Sequence, residues 1–435
     1  MTLGTASIRL PKPSGVSAGR QSGSRRHPTV GRGHFASIPA WLRACGALFA
    51  VAWGGNEFTP LLVMYREENG LTNQAVNVLL GAYVLGIVPA LLIGGPLSDR
   101  YGRRPLMFPA PALAIVGSSL LIIGGVESSA SFLFIGRMFS GLALGLVMAV
   151  GTSWVKELSQ APFDVAADNG SGARRASLAL TAGFGSGAVV ASILAQFGPL
   201  PSVMPYLVNI VVTLVLWFSM WGAPETRGRL EAPGRLRDDL KVPALSHRRF
   251  LYVVLPMAPW VFGAAASAYA ILPGVMSIMV PGMEVGFSGL LCFVALSFGI
   301  LSQQLAKRLD SLRSARAIGI AMIVTIIGLA IAVMASATLS LTVALIAAAV
   351  LGAGYGLLLV SGLQEVQRIA GPSGLAGLTA VYYSFTYLGF FVPAILALLT
   401  PWFTYPVMFA AGAVLAVLCL GLILVNSRRH LPDAG

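Results

Sequence analysis

This 435-residue chain has little charge: Asp, Glu, Lys and Arg make up 10% of it, against 56% hydrophobic residues. A soluble domain would carry roughly a quarter charged residues to cover its surface, so a soluble fold is excluded. Cysteine is rare as well. Cys45, Cys292 and Cys419 fall in three different apolar stretches, neither spaced as metal ligands nor set in loops where disulfides form. Histidine is confined to His27, His34, His247 and His430, all in polar segments. No cluster of His, Asp and Glu remains for a metal centre or a membrane enzyme, and no cofactor is expected. Short segments of alternating polar and apolar residues are missing too, which excludes a transmembrane β-barrel.

What is present is a series of apolar runs of about 20 residues, the length that crosses a hydrocarbon core roughly 30 Å thick. Backbone N–H and C=O groups find no water there, so the runs must be helices. They fall at 40–65, 74–97, 106–126, 131–156, 176–197, 203–223, 251–280, 286–306, 315–336, 339–363, 375–399 and 403–426. Bases outnumber acids 29 to 16, a net charge of +13, yet the excess does not read as a nucleic-acid footprint. With the N-terminus in the cytoplasm, every Lys and Arg except Arg66 and Arg137 falls in a cytoplasmic segment. That is the positive-inside pattern. It predicts an all-α integral membrane protein with twelve transmembrane helices and both termini cytoplasmic. The first 38 residues, rich in Ser, Gly, Pro and Arg and free of acids, read as a disordered basic tail. An organelle transit segment has the same chemistry and stays open. No apolar stretch precedes Ile38, so a cleaved secretory signal is not expected.

One basic turn stands between the second and third runs: Gly95-Pro96-Leu97-Ser98-Asp99-Arg100-Tyr101-Gly102-Arg103-Arg104. It resembles the signature loop of the major facilitator superfamily of transporters, G-x-L-(S/A)-D-(R/K)-x-G-R-(R/K), at every specified position. The resemblance implies two six-helix pseudo-repeats around a central substrate site. The predicted division is a tail (1–38), a first bundle (39–224), a cytoplasmic linker (225–250), a second bundle (251–426) and a tail (427–435). Internal similarity points the same way. Gly299 to Arg308 aligns with Gly95 to Arg104, with Gln303 in place of the Asp. Gly141, Gly145 and Gly151 recur at the spacing of Gly352, Gly356 and Gly362. Ala179, Gly183, Gly187, Ala191 and Ala195 form a small-residue stripe on the fifth run, suited to close helix contact in lipid. The strings Gly183-x-Gly185-x-Gly187 and Gly352-x-Gly354-x-Gly356 lie inside apolar runs, so they read as packing and not as phosphate loops.

Ionisable residues inside a bilayer cost at least about 2.5 kcal/mol each and are functional candidates. Two lie well inside the runs, Glu57 and Arg137, at matching depth on the first and fourth helices. Buried alone, the Glu57 carboxyl would keep its proton; facing Arg137 it would lose it. A change in their contact could therefore couple transport to protons, with Asn56 beside them. A static ion pair, or Glu57 bonded to Asn56 and nearby backbone, is the structural alternative. Gly136-Arg137-x-x-x-Gly141 also resembles the family's fourth-helix arginine motif, which is linked to proton coupling. Tyr269, Tyr355, Tyr383 and Tyr387 are candidate cavity aromatics.

The resemblance further implies a cytoplasmic gate. Asp99 would face the N-terminus of the eleventh helix, where the helix dipole favours a carboxylate, and Arg100 and Gly102 belong to the same gate. Arg103 or Arg104 would pair with Glu157, and Lys307 or Arg308 with Glu365. Pro224-Glu225-Thr226 resembles the family's frequent ending of the sixth helix. The cations could instead merely follow the positive-inside rule.

With no acid in mid-membrane in the second half, and few sugar donors beyond Asn56, Asn209 and Trp260, the cavity suits small, relatively hydrophobic organic solutes. The expected protein is a monomeric secondary transporter of the cell membrane, partnered by lipid, its solute and protons. Proton-coupled efflux is the leading reading. The alternatives are proton-coupled uptake of an organic acid or other nutrient, with Arg137 binding a carboxylate, and a non-transporting sensor on the same fold. Family antiporters often carry Gly-Pro within the fifth helix; here no proline follows until Pro199.

Overall fold

The computed structural model describes residues 38–168, 170–230, 234–370 and 374–429, and the backbone alone of Arg237, Asp238 and Lys307. All of the expected N-terminal tail but Ile38, and residues 430–435 of the C-terminal one, lie outside the described residues.

Among these residues there is no strand. Eleven helices are long and apolar enough to cross a membrane, and a twelfth is shorter. They are α1 (Ala40–Glu67), α2 (Asn73–Tyr101), α3 (Arg103–Val126), α4 (Ala130–Leu158), α5 (Ser171–Phe197) and the shorter α6 (Met204–Met220). After the connecting segment come α7 (Phe250–Met279), α8 (Glu284–Leu309), α9 (Arg316–Thr338), α10 (Leu341–Ile369), α11 (Leu375–Leu399) and α12 (Tyr405–Asn426). Every expected span is met within a few residues. The largest differences are the end of α10, at Ile369 and not 363, and the start of α5, at Ser171 and not 176. The extra turn is amphipathic: Arg175 pairs with Asp164 at 2.7 Å and lies over the Trp41 ring. Just outside the span, hydrogen bonds from Arg174 and Ser171 hold the Asp168 carboxyl down at about 2.

Local chemistry sets the ends. Thr72 Oγ1 accepts from Ala75 N–H at the start of α2, and Ser340 Oγ from Val343 N–H at the start of α10, each an N-cap. Gly102 stops α2 with φ +101°, a value that disfavours any side chain.

Glycine decides which helices touch. A Cβ at Gly141 would lie 2.1 Å from the Tyr83 carbonyl oxygen, and one at Gly86 2.1 Å from that of Met138, so α2 and α4 pack backbone to backbone. In the second half, a Cβ at Gly352 would lie 2.1 Å from the Ala295 carbonyl oxygen and one at Gly356 2.0 Å from that of Gly299, so α8 packs closely on α10. The stripe on α5 packs on α1: a Cβ at Gly183 would lie 2.4 Å from Phe49 O, and one at Gly187 2.4 Å from Trp53 O.

This packing corrects the expected register of the repeat. Gly356, the counterpart of Gly145, abuts Gly299 O; Gly145 abuts Ile87 O. Gly299 therefore matches Ile87, roughly two turns before Gly95. Helix α8 runs on through Leu309, and Asp310 follows it where the acid of the second turn belongs.

Helix α1 is almost wholly enclosed, with 94% of its most apolar window buried, whereas α12 buries 22% and meets lipid along most of its length. Four helices lose regularity within their spans: α1 in a 3-10 turn at Thr59–Leu61, α4 in a π turn at Val147–Gly151, α7 in a π turn at Ser267–Ile271, and α11 in a 3-10 turn at Leu388–Phe391.

Candidate functional site

A cavity of about 670 Å³, counting the open solvent at its mouth, lies between the halves. Asn56, Tyr83, Arg137 and Phe184 line it from the first half; Phe262, Tyr269, Gln303, Tyr355, Tyr387 and Phe390 line it from the second. Phe262 is the hub of an aromatic wall, stacked on Tyr387 at 4.5 Å and on Phe390 at 4.8 Å, with Tyr355 at 5.6 Å. The expected Tyr269, Tyr355 and Tyr387 all line the cavity. Tyr383 does not; its ring lies against Tyr382 at 5.6 Å.

Arg137 is 1% exposed and is the single charged side chain of the lining. No acid lies within ion-pair distance of it among the described residues. Its guanidinium sits 4.0 Å from the Tyr83 ring centroid and 4.6 Å from that of Phe58, and Nη1 donates to Gly55 O at 3.4 Å. Ring faces and one carbonyl therefore take the place of the expected carboxylate.

Glu57 is 0% exposed but points elsewhere. The Ser118 hydroxyl on α3 lies 3.4 Å from Glu57 Oε1 and 3.2 Å from Asn209 Oδ1 on α6. Glu57 Oε2 has no partner. The expected Glu57–Arg137 contact is thus absent, for a reason of helical phase: successive residues turn about 100° on a helix. Asn56, one residue earlier, does face the centre. Its Nδ2 donates to Phe184 O at 3.1 Å and lies 3.8 Å from Cys292 Sγ on α8, so Cys292 joins the two halves instead of merely filling space.

The basic face carries two charge networks. Around the signature turn, Arg103 binds Glu157 at 2.8 Å and Asp99 at 2.8 Å, and Asp99 also meets Arg227 at 3.2 Å. The Glu225 carboxylate accepts from the backbone N–H of Arg103 and Arg104, and Thr226 bonds Glu157. A Cβ at Gly102 would strike that carboxylate at 2.7 Å. Arg100 pairs with Asp239 on the connecting segment, while Arg104 lies over Phe108 and donates to Trp221 O. Arg103–Glu157 is as expected. Asp99 engages Arg103 and Arg227, not the start of α11.

In the second half Glu365 is held by Arg249 at 2.7 and 2.9 Å and by Arg368 at 3.0 Å, while Arg368 also binds Asp310. Arg308 is exposed and the Lys307 side chain lies outside the description, so the expected partners of Glu365 give way to Arg249 and Arg368. The two-turn register shift explains this: Lys307 and Arg308 are still helix, not turn.

Polar contacts also tie the halves together at the face opposite the basic one. Gln196 Nε2 donates to Gly282 O and its Oε1 accepts from Gly286 N–H, both near 2.9 Å, and Asn73 donates to the Tyr405 hydroxyl.

A twelve-helix bundle with a cavity lined from both halves defines an integral membrane transporter. The chain belongs to the Major Facilitator Superfamily, whose family model matches residues 44–392. Inner membrane transport protein YnfM of Escherichia coli K12 is 31% identical over 144 residues, 32% of this chain and 32% of that protein. Multidrug transporter MdfA of Yersinia pestis is 26% identical over 235 residues, 49% of this chain and 52% of that protein. The chain thus matches about a third to about a half of the length of these curated relatives. Among solved structures, a POT family transporter in complex with 5-aminolevulinic acid superposes with TM-score 0.70 at 13% identity, over 92% of this chain and 98% of that one. A D-xylose-proton symporter does so with TM-score 0.64 at 13% identity, over 90% and 98%. At such identity the likeness is one of fold.

Proposed function

We propose that the protein exports small, relatively hydrophobic organic solutes from the cell in exchange for protons, working as a monomer in the inner membrane with its basic face in the cytoplasm. The observation that carries the substrate class is the cavity itself: aromatic rings from both halves and a single charge, Arg137. Rings offer apolar area with polar tips, which suits an amphiphilic molecule. The likeness to a multidrug transporter supports export. Glu57 is the proton carrier, being a membrane-buried acid with an unpartnered oxygen. The signature-turn network, with Asp99 half-exposed, acts as the inner gate, exchanging partners when the basic face closes.

A second reading has its own support. A cavity cation without an acid partner would bind a carboxylate, and uptake of an organic acid follows from that.

Proteoliposomes with an imposed pH gradient decide. The solute is taken from a panel by its thermal stabilisation of the purified protein. Flux should follow the gradient and collapse in Glu57→Gln. Normal gradient-driven flux in that variant would remove Glu57 from proton coupling; a solute accumulated along with protons would favour uptake.

A further inference from the structure

Three consecutive residues at the break in α1 grip three different parts of the molecule. Gly55 O holds Arg137 at the cavity wall. Asn56 holds Phe184 O on α5 and touches Cys292 on α8, bridging to the second half. Glu57 turns away into a closed polar chamber between α1, α3 and α6, off the cavity lining. The helix is not regular here: Pro60 lacks an N–H, and Thr59–Leu61 is a 3-10 turn.

The chamber has too few donors. Glu57 Oε1 and Asn209 Oδ1 both lie near the one Ser118 hydroxyl, which has a single proton to give, and Glu57 Oε2 has none. Asn209 spends its own amide on Ala50 O. A positive species completes the chamber, and one proton on Glu57 is the smallest that does so. The charged and titratable groups around Glu57 are Arg137 on α4, Tyr206 on α6 and Tyr65 on α1; α3 presents only the Ser118 hydroxyl. Tyr65 and Tyr206 bond each other at 2.7 Å, and neither hydroxyl hydrogen-bonds the carboxyl.

We infer that the proton and the solute occupy separate sites: the proton in the Glu57–Ser118–Asn209 chamber, the solute in the central cavity, with the α1 break as the link between them. This rests on the proton-coupled reading and adds to it where the proton sits and how its arrival is felt. Loading or unloading Glu57 re-seats the 55–57 turn, which loosens or tightens the Asn56–Cys292 bridge between the halves. Solute and proton then act on one another through the backbone of α1 and not by competing for one charge.

Cys292, fully buried here, reports on the bridge. In full-length protein carrying Cys45→Ser and Cys419→Ser, it is the sole thiol. Its rate of reaction with a maleimide is measured in lipid nanodiscs between about pH 5 and pH 8.5, with and without Glu57→Gln. The Gln variant has the same thiol and mimics the protonated acid, so the ratio of the two rates removes the intrinsic pH dependence of cysteine. The ratio should be near one at the acid end and depart by at least ~5-fold at the alkaline end. Ser118→Ala, which removes the donor to the carboxylate, should move the midpoint to higher pH. Superimposed curves with and without Glu57→Gln overturn the inference, as does a midpoint unmoved by Ser118→Ala. Superimposed curves alongside proton-driven flux would sink the chamber and leave proton coupling with another carrier. A pH-linked ratio without proton-driven flux would keep the chamber and remove the transport reading.

Discussion

Arg137 is a buried cation without a buried anion, and this sets what its substitutions should do. Lysine keeps the charge but loses the planar face that lies on Tyr83 and Phe58. Arg137→Lys should lower the apparent stability by about 1–2 kcal/mol in thermal melts of purified protein. Arg137→Met removes a desolvated charge that no carboxylate repays, so it should melt at the same temperature or higher while transport is lost. A large destabilisation by Met would mean that the arginine is a structural strut. Both intramembrane charges were legible in the sequence, because ionisable residues are so scarce there. Their partners were not. Depth can be counted along a run, but the direction of a side chain around its helix needs the neighbours: Ser118 looks like ordinary content of an apolar span, and Asn209 read as a cavity donor. Tyr83, Phe184, Phe262 and Phe390 went unseen for the same reason, as aromatic residues are common in such runs.

At the scale of helices, glycines separate into contacts and gaps. A Cβ at Gly141 collides with backbone of α2, which cannot swing aside; Gly95 has nothing within 4 Å. Gly141→Ala should cost about 1–3 kcal/mol, and Gly95→Ala, in mid-helix, should be neutral or slightly stabilising, both read as shifts in melting temperature. Equal effects would show that α2 and α4 are not in backbone contact. The second-half network makes a similar contrast. Arg249→Leu leaves buried Glu365 with Arg368 as its remaining cation and should cost on the order of 3 kcal/mol. Exposed Arg308→Ala should stay within about 0.5 kcal/mol. Helix count and the glycine pattern were legible, because membrane thickness and close packing write themselves into run length and spacing. The register of the second-half turn was not. Matching Gly299 to Gly95 used a loop consensus that the second half has largely lost, whereas packing against α10 fixes the true counterpart.

At the scale of the molecule, both halves line the cavity, hydrogen bonds bridge them at the face opposite the basic one, and the basic face carries the charge networks. The distribution of Lys and Arg made the two faces legible; the bridges between the halves depend on contacts such as Gln196 with Gly286, whose residue types carry no such signal. The central claim is that this bridged face must open for solute to pass. A Cβ built at Gly286 lies 3.4 Å from Gln196 Cγ, close enough for a disulfide between cysteines at these positions. Solute flux through Gln196→Cys/Gly286→Cys protein, on a background lacking the native thiols, tests the claim most directly. Flux should stop when the pair is oxidised and return on reduction. Undiminished flux through fully cross-linked protein would contradict the account.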